Sequence, residues 1–107
     1  MPLAAVALGS NLGDRANTLT LALRDIAALG TVQAVSTFLD TEPVGYTDQP
    51  RFLNATALLH TGLAPLDLLQ ALLEIERTHG RDRGHGISKG PRTLDLDLLL
   101  YLSLIHI

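Results

Sequence analysis

Two aspartates in an otherwise apolar stretch are the residues of this sequence whose types and spacing most clearly suggest chemistry. Asp95 and Asp97 lie in PRTLDLDLLL, residues 91–100. In a strand, alternate side chains point to opposite faces, so both carboxylates share one face, about 6.6 Å apart along the chain. Because two desolvated carboxylates at this spacing repel each other, they need a counter-charge, and Mg²⁺ prefers carboxylate oxygens. The pair is therefore a magnesium candidate; the alternative is two edge-strand aspartates that face water or pair with arginines.

A basic segment precedes this stretch and suggests an anionic ligand. Five of the eight Lys/Arg residues lie between positions 77 and 92, although the net charge of the chain is −3. Arg81, Arg83 and Arg92 could hold phosphate oxygens through bidentate contacts. Since Mg²⁺ takes its remaining ligands from substrate phosphates, the two features fit one site. The alternative is a solvated charged loop.

Composition narrows the class of protein. The chain has 107 residues, 47% of them hydrophobic, which predicts one compact domain. A net charge of −3 argues against a general nucleic-acid binder. The absence of a long apolar run and of a signal-like N-terminus predicts no membrane span and a cytoplasmic protein. Cysteine is absent, so disulfides and thiolate metal sites are excluded.

The elements that must position these groups follow from the spacing of apolar residues. We predict strands over 3–8, 32–41, 52–61 and 94–101, a helix from the N-cap Asp14 to a stop at Gly30, and a helix over 66–79. The order β-α-β-β-α-β predicts a ferredoxin-like fold of the α/β (α+β) class, with one antiparallel sheet and both helices on one face. A ferredoxin-like RNA-binding domain would need aromatic residues on its central strands, and LAAVAL, residues 3–8, has none.

Alternation along the strands predicts which side chains face the helices. In residues 52–61 the uniformly apolar set should meet the helices, and it comprises Leu53, Ala55, Ala57 and Leu59. If the leucines around the aspartates also meet the helices, Asp95 and Asp97 fall on the open face of the sheet. Phe52 and Asn54 should lie on that same face.

Four segments of the chain resemble the family of 6-hydroxymethyl-7,8-dihydropterin pyrophosphokinases, enzymes of folate biosynthesis. They are ALGSNLGDR at 7–15, TEPVGYTDQPRFLNA at 41–55, LLEIERTHGRDR at 72–83 and GPRTLDLDLLLY at 90–101. The last segment is highly specific. The resemblance implies a ferredoxin-like core that transfers the terminal pyrophosphoryl group of ATP to the hydroxymethyl oxygen of the pterin and releases AMP.

The resemblance also implies roles at the ATP site. Asp95 and Asp97 would hold two Mg²⁺ ions that bridge the triphosphate. Catalytic contacts to the phosphates would come from Arg81, Arg83 and Arg92, which also bind ATP. Glu76 matches a family glutamate near the ATP site; on spacing alone, the alternative is an exposed helix glutamate.

A second set of residues is implied for the pterin. Asn54 matches the residue that hydrogen-bonds the pterin, and Phe52 matches an aromatic beside its ring. The backbone of the segment with Thr41, Glu42 and Val44 would contact the edge of the ring. ATP and hydroxymethyldihydropterin are thus the expected partners, and we expect a monomer with no obligatory protein partner.

The domain organisation predicted with this resemblance has two parts. Residues 1–101 would form the pyrophosphokinase core, without the C-terminal part of the family fold. Residues 102–107, LSLIHI, resemble the translation of a sequencing-library adapter, so we expect a non-native tail that the coding DNA would test. The alternative function is a non-catalytic ferredoxin-like fragment with residual Mg-ATP binding.

Overall fold

The computed structural model describes residues 1–42, 51–79 and 94–103. Within these ranges the elements, in chain order, are β1 (Leu3–Ser10), α1 (Arg15–Ala27), β2 (Thr31–Val35), β3 (Leu39–Thr41), β4 (Phe52–His60), α2 (Pro65–Thr78) and β5 (Asp95–Leu102). No helix of the described residues is long and apolar enough to cross a membrane.

The strands form one antiparallel sheet in the order β2-β4-β1-β5, and β3 also pairs with β4. This order confirms the predicted ferredoxin-like α+β fold. It places β1 and β4 at the centre and β5 at an edge of the described sheet. The C-terminal end of β1 and the N-terminal ends of β4 and β5 therefore meet at one end of the open face.

The predicted strand over 32–41 is interrupted, and β2 and β3 pair with successive parts of β4. Ser36 lies in the interruption. Its backbone N–H donates to the Thr56 carbonyl at 2.8 Å, and its hydroxyl accepts from the Thr56 N–H at 2.9 Å. Because the side chain replaces a backbone carbonyl in the ladder, the strand can bend without losing contact with β4.

Both helices begin as the sequence predicts. The Asp14 side chain accepts from the Asn17 N–H at 3.1 Å and caps α1, and Pro65 occupies the first turn of α2. The first helix ends at Ala27, before Gly30. That glycine is needed for close approach, because a Cβ at this position would lie 2.0 Å from the His60 carbonyl oxygen.

The core lies between the sheet and the two helices. Its buried side chains are Ala4, Val6, Leu8, Leu19, Ala22, Ile26, Ala55, Ala57, Leu59, Leu68, Leu72, Ile75 and Leu94. The alternation predicted for β4 is confirmed, since Leu53 also packs against this core. Each large aliphatic side chain buried here contributes roughly 1.5–3 kcal/mol to stability, which holds the sheet and its open face in shape.

A bulge in β5 changes which residues face the core. Val6 pairs with Leu98 and Ala5 pairs with Leu100, so Leu99 is the extra residue. Beyond the bulge Tyr101 packs against the core, and its hydroxyl donates to the Leu63 carbonyl at 2.5 Å. The bulge lies beyond the two aspartates, whose alternation is therefore unbroken.

Candidate active site

One row of residues crosses the open face from β5 to β4. Asp95 pairs with Gly9, and Gly9 pairs with Asn54. Opposite residues of an antiparallel ladder share a face, so the carboxylate and the amide lie on the same side of the sheet with only a glycine between them. In the next row Asp97 pairs with Ala7. The structure therefore places both aspartates on the open face.

The leucines of this stretch take the opposite side. Leu94 is fully buried, and Leu96 and Leu98 pack against the core. Asp95 is half-buried and Asp97 is exposed. The packing of these leucines against the core thus directs the two carboxylates to the opposite face of the sheet.

Gly9 leaves room at the centre of the face. A Cβ added there would lie 3.0 Å from the Asn54 Oδ1 atom and 3.8 Å from a ring carbon of Phe52. The missing side chain therefore lets the amide and the aromatic ring lie over β1. Gly9 thus lies between Asp95 on one neighbouring strand and Asn54 on the other.

The Asn54 amide is held by a neighbouring strand. Its Nδ2 donates to the Thr41 Oγ1 at 2.6 Å, which ties the end of β3 to β4. With the nitrogen so engaged, Oδ1 lies over Gly9. A ligand on the open face would meet an acceptor whose orientation is already set.

An ion-pair network, which the sequence reasoning missed, ties β3 to the start of α1 on the helix side of the sheet. The Asp40 carboxylate accepts from Arg15 at 3.0 Å and from Arg51 at 2.8 Å, and these hydrogen bonds lower the pKa of Asp40 below its usual value. The bond to Asp40 correspondingly raises the pKa of Arg51, which also pairs with Glu42 at 3.3 Å. The residues of this network come from separate parts of the sequence, so no local sequence pattern indicates it.

Glu76 lies on the helix side of the sheet. It is 3% exposed, so the alternative of an exposed glutamate is wrong. Its Oε2 accepts from the backbone N–H of Leu96 at 2.6 Å. The carboxylate is thus bonded to the backbone of the strand that carries the aspartates, at the edge of that strand.

The remaining predicted site residues divide into two groups. Thr41 and Glu42 are exposed at the end of β3, and Phe52 is half-buried at the start of β4, beside Asn54. Val44, Arg81, Arg83 and Arg92 lie outside the described residues. The proposed phosphate contacts therefore rest on the sequence.

The donor set fits a hard cation that shares its ligands with a substrate. Within the described ranges, no group of three or more His, Cys, Asp or Glu side chains could hold a metal ion. Mg²⁺ is commonly bound by one or two carboxylates together with water and substrate phosphates. The Asp95 and Asp97 carboxylates on one face match that pattern.

Two further polar residues at the end of β1 were not predicted to be buried. The Ser10 hydroxyl and both polar atoms of the Asn11 amide are buried, with no hydrogen-bond partner among the residues that the structure describes. Buried polar groups are nearly always satisfied by protein or water, so this turn is a place where bound water is expected.

Comparisons with known proteins agree with the geometry. The model of the 7,8-dihydro-6-hydroxymethylpterin-pyrophosphokinase (HPPK) family matches residues 5–107. The 2-amino-4-hydroxy-6-hydroxymethyldihydropteridine pyrophosphokinases of Pseudomonas aeruginosa and Bacillus subtilis are 49% and 46% identical, over 90% and 92% of this chain and 59% of each relative. A folate synthesis bifunctional protein of Arabidopsis thaliana is 48% identical over 90% of this chain and 20% of its own length. The chain thus spans about three fifths of the length of these bacterial relatives.

Proposed function

The chain belongs to the 7,8-dihydro-6-hydroxymethylpterin-pyrophosphokinase family, and we propose that it transfers pyrophosphate from ATP to 6-hydroxymethyl-7,8-dihydropterin. The products would be AMP and the pterin diphosphate, in tetrahydrofolate biosynthesis. The observation that supports this proposal best is the row Asp95, Gly9 and Asn54, in which a carboxylate for the metal and an amide for the pterin lie on one face.

The reaction requires positioning rather than a nucleophilic side chain. The hydroxymethyl oxygen of the pterin would bond to the β-phosphorus of ATP while the bond to the oxygen shared with the α-phosphate breaks. The hydroxyl proton would leave to solvent. Such a transfer is accelerated mainly by holding the two reactants in line and by neutralising the charge that develops on the phosphates.

The carboxylates would serve the phosphate half of this reaction. Asp95 and Asp97 are proposed to hold two Mg²⁺ ions, because their oxygens are suitable ligands and face one side. Bound there, Mg²⁺ would neutralise part of the phosphate charge. Three arginines are proposed on sequence grounds to contact the phosphates and act in catalysis: Arg81, Arg83 and Arg92.

The β3 and β4 residues would serve the pterin half. The Asn54 Oδ1 atom can accept from an N–H group of the ring, and the bond from its nitrogen to Thr41 keeps that oxygen in place. Phe52 offers an aromatic surface beside it. The backbone of Thr41, Glu42 and Val44 is proposed to contact the ring edge.

AMP formation tests the proposal. The protein would be incubated with ATP, MgCl₂ and 6-hydroxymethyl-7,8-dihydropterin, with omission of the pterin as the control. Pterin-dependent AMP release is expected. Magnesium-dependent ATP binding without AMP would instead support a binding core without turnover, and neither binding nor AMP would contradict the proposal.

Oligomeric state and location are proposed more simply. A monomer is proposed, and the sedimentation mass of the protein tests it. A cytoplasmic location is proposed as well, and fractionation of expressing cells tests it.

A further inference from the structure

Glu76 is a buried carboxylate that accepts a hydrogen bond from the backbone of the aspartate-bearing strand. It lies in the last turns of α2, and its Oε2 atom accepts from the Leu96 N–H at 2.6 Å. A buried carboxylate is costly unless hydrogen bonds compensate it, so this contact matters to the fold. The contact is therefore a firm link between α2 and β5.

Leu96 is the residue between Asp95 and Asp97. Its side chain packs toward the core while the two carboxylates point to the open face. In the described sheet β5 pairs with β1 only, so its other edge has no strand to hold it. The bond from Leu96 to Glu76 takes that role at the point that sets the direction of both carboxylates.

We propose that Glu76 is a positioning residue for the metal-binding aspartates, acting through the Leu96 N–H at the outer edge of β5. This inference rests on the proposed function of Asp95 and Asp97. It differs from a direct role at ATP, because the contact on which it is argued is to the backbone of the strand between the two aspartates. Partners that orient metal ligands commonly change metal affinity by about 10–100-fold when removed.

Two variants separate the effect of side-chain length at position 76 from the effect of its charge. Glu76→Gln keeps an acceptor oxygen at the same distance from the backbone and removes the charge. Glu76→Asp keeps the charge and withdraws the oxygen by one methylene group. Glu74→Asp is the matched control, since Glu74 is an exposed carboxylate on the same helix with its side chain 61% accessible.

The first measurement uses the protein without metal or nucleotide. Hydrogen exchange of the Leu96 amide should accelerate in Glu76→Asp by about 10-fold or more and change little in Glu76→Gln and in Glu74→Asp. Magnesium-dependent ATP affinity is then measured by calorimetry. It should fall about 10-fold in Glu76→Asp and by less than about 3-fold in Glu76→Gln, with pterin affinity unchanged.

The outcomes distinguish the inference from the function on which it rests. A larger loss of ATP affinity in Glu76→Gln than in Glu76→Asp would show that the charge of the side chain matters more than its length, and would overturn the inference. So would faster exchange at Leu96 without any change in ATP affinity. If the unmodified protein does not bind ATP with magnesium, the proposed function fails and the inference with it.

Discussion

The two halves of the open face differ in the side chains that they present. In the β3–β4 half, comprising Thr41, Phe52 and Asn54, the Asn54 amide is hydrogen-bonded to the Thr41 hydroxyl on a neighbouring strand. In the β5 half, comprising Asp95 and Asp97, two carboxylates share one face, and the Asp97 side chain is exposed. The first half thus presents an oriented neutral group, whereas the second brings like charges together.

This difference corresponds to the two proposed substrates. A flat ring with fixed N–H groups is recognised well by an acceptor whose direction is already set, because little ordering remains to be done on binding. A polyphosphate carries its own charge and its own cations. The Asp95 and Asp97 carboxylates would supply only part of the coordination of those cations, and the phosphates of the nucleotide would supply more of it.

The largest effect is expected from a substitution that disrupts the β5 half alone. Asp97→Ala should lower magnesium-dependent ATP affinity by about 100-fold or more, because a charged metal ligand is lost. Asp97 is exposed, so the folded structure should persist. Calorimetry of ATP binding with and without MgCl₂ measures the effect. Equal ATP affinity in the variant and the unmodified protein would refute the metal assignment.

The next largest effect is expected from a substitution that disrupts the β3–β4 half alone. Asn54→Leu should weaken binding of the dihydropterin by about 10–100-fold, since an oriented hydrogen-bond acceptor facing the ring is lost. ATP affinity should remain unchanged and serves as the internal control. A variant that loses both affinities in parallel would show that the halves are not separate.

A smaller effect tests the boundary between the halves. Gly9→Ala places a Cβ 3.0 Å from the Asn54 Oδ1 atom, so the amide must shift by a few tenths of an ångström. Pterin affinity should fall about 3–10-fold, less than in Asn54→Leu, because the acceptor is displaced rather than removed. Ala7→Ser, one row away, is the control. Unchanged pterin binding in Gly9→Ala would show that the position of the Asn54 amide over Gly9 does not matter for the pterin.

The smallest effect concerns what holds the β3–β4 half. Asp40 has a pKa below its usual 3.8, chiefly because Arg15 and then Arg51 donate to it. A depressed folded-state pKa stabilises the fold above the unfolded value, and that contribution disappears as the pH falls through the folded pKa. Asp40→Asn should therefore lower the urea midpoint slightly near neutral pH and not in strong acid. A gap that persists unchanged in acid would contradict this assignment.

Sequence reasoning succeeds where alternation along a single strand decides which face of the sheet a side chain occupies. Alternation places Asp95, Asp97, Phe52 and Asn54 on the open face because strand side chains alternate regardless of their partners. It fails where a contact joins distant positions. The burial of Glu76 depends on where α2 crosses β5, and the Arg15, Asp40 and Arg51 network depends on which strands become neighbours.

The interruption between β2 and β3 shows a second kind of limit. β-Branched residues continue through positions 31–41, so local propensity favours one strand. The break arises because the Ser36 hydroxyl replaces a backbone group in the ladder, which is a tertiary contact to Thr56. The bulge at Leu99 is a second departure from simple alternation, and beyond it Tyr101 packs against the core.

Backbone amide shifts of isotope-labelled protein test the division of the open face most directly. Addition of MgCl₂ with a non-hydrolysable ATP analogue should shift the amides of residues 94–98 most strongly. Addition of 6-hydroxymethyl-7,8-dihydropterin should shift those of residues 39–41 and 52–56 most strongly, and the amides in the middle of α1 should move in neither case. If the nucleotide leaves residues 94–98 unmoved, or if both ligands shift the same amides, the assignment of the two halves to two substrates is wrong.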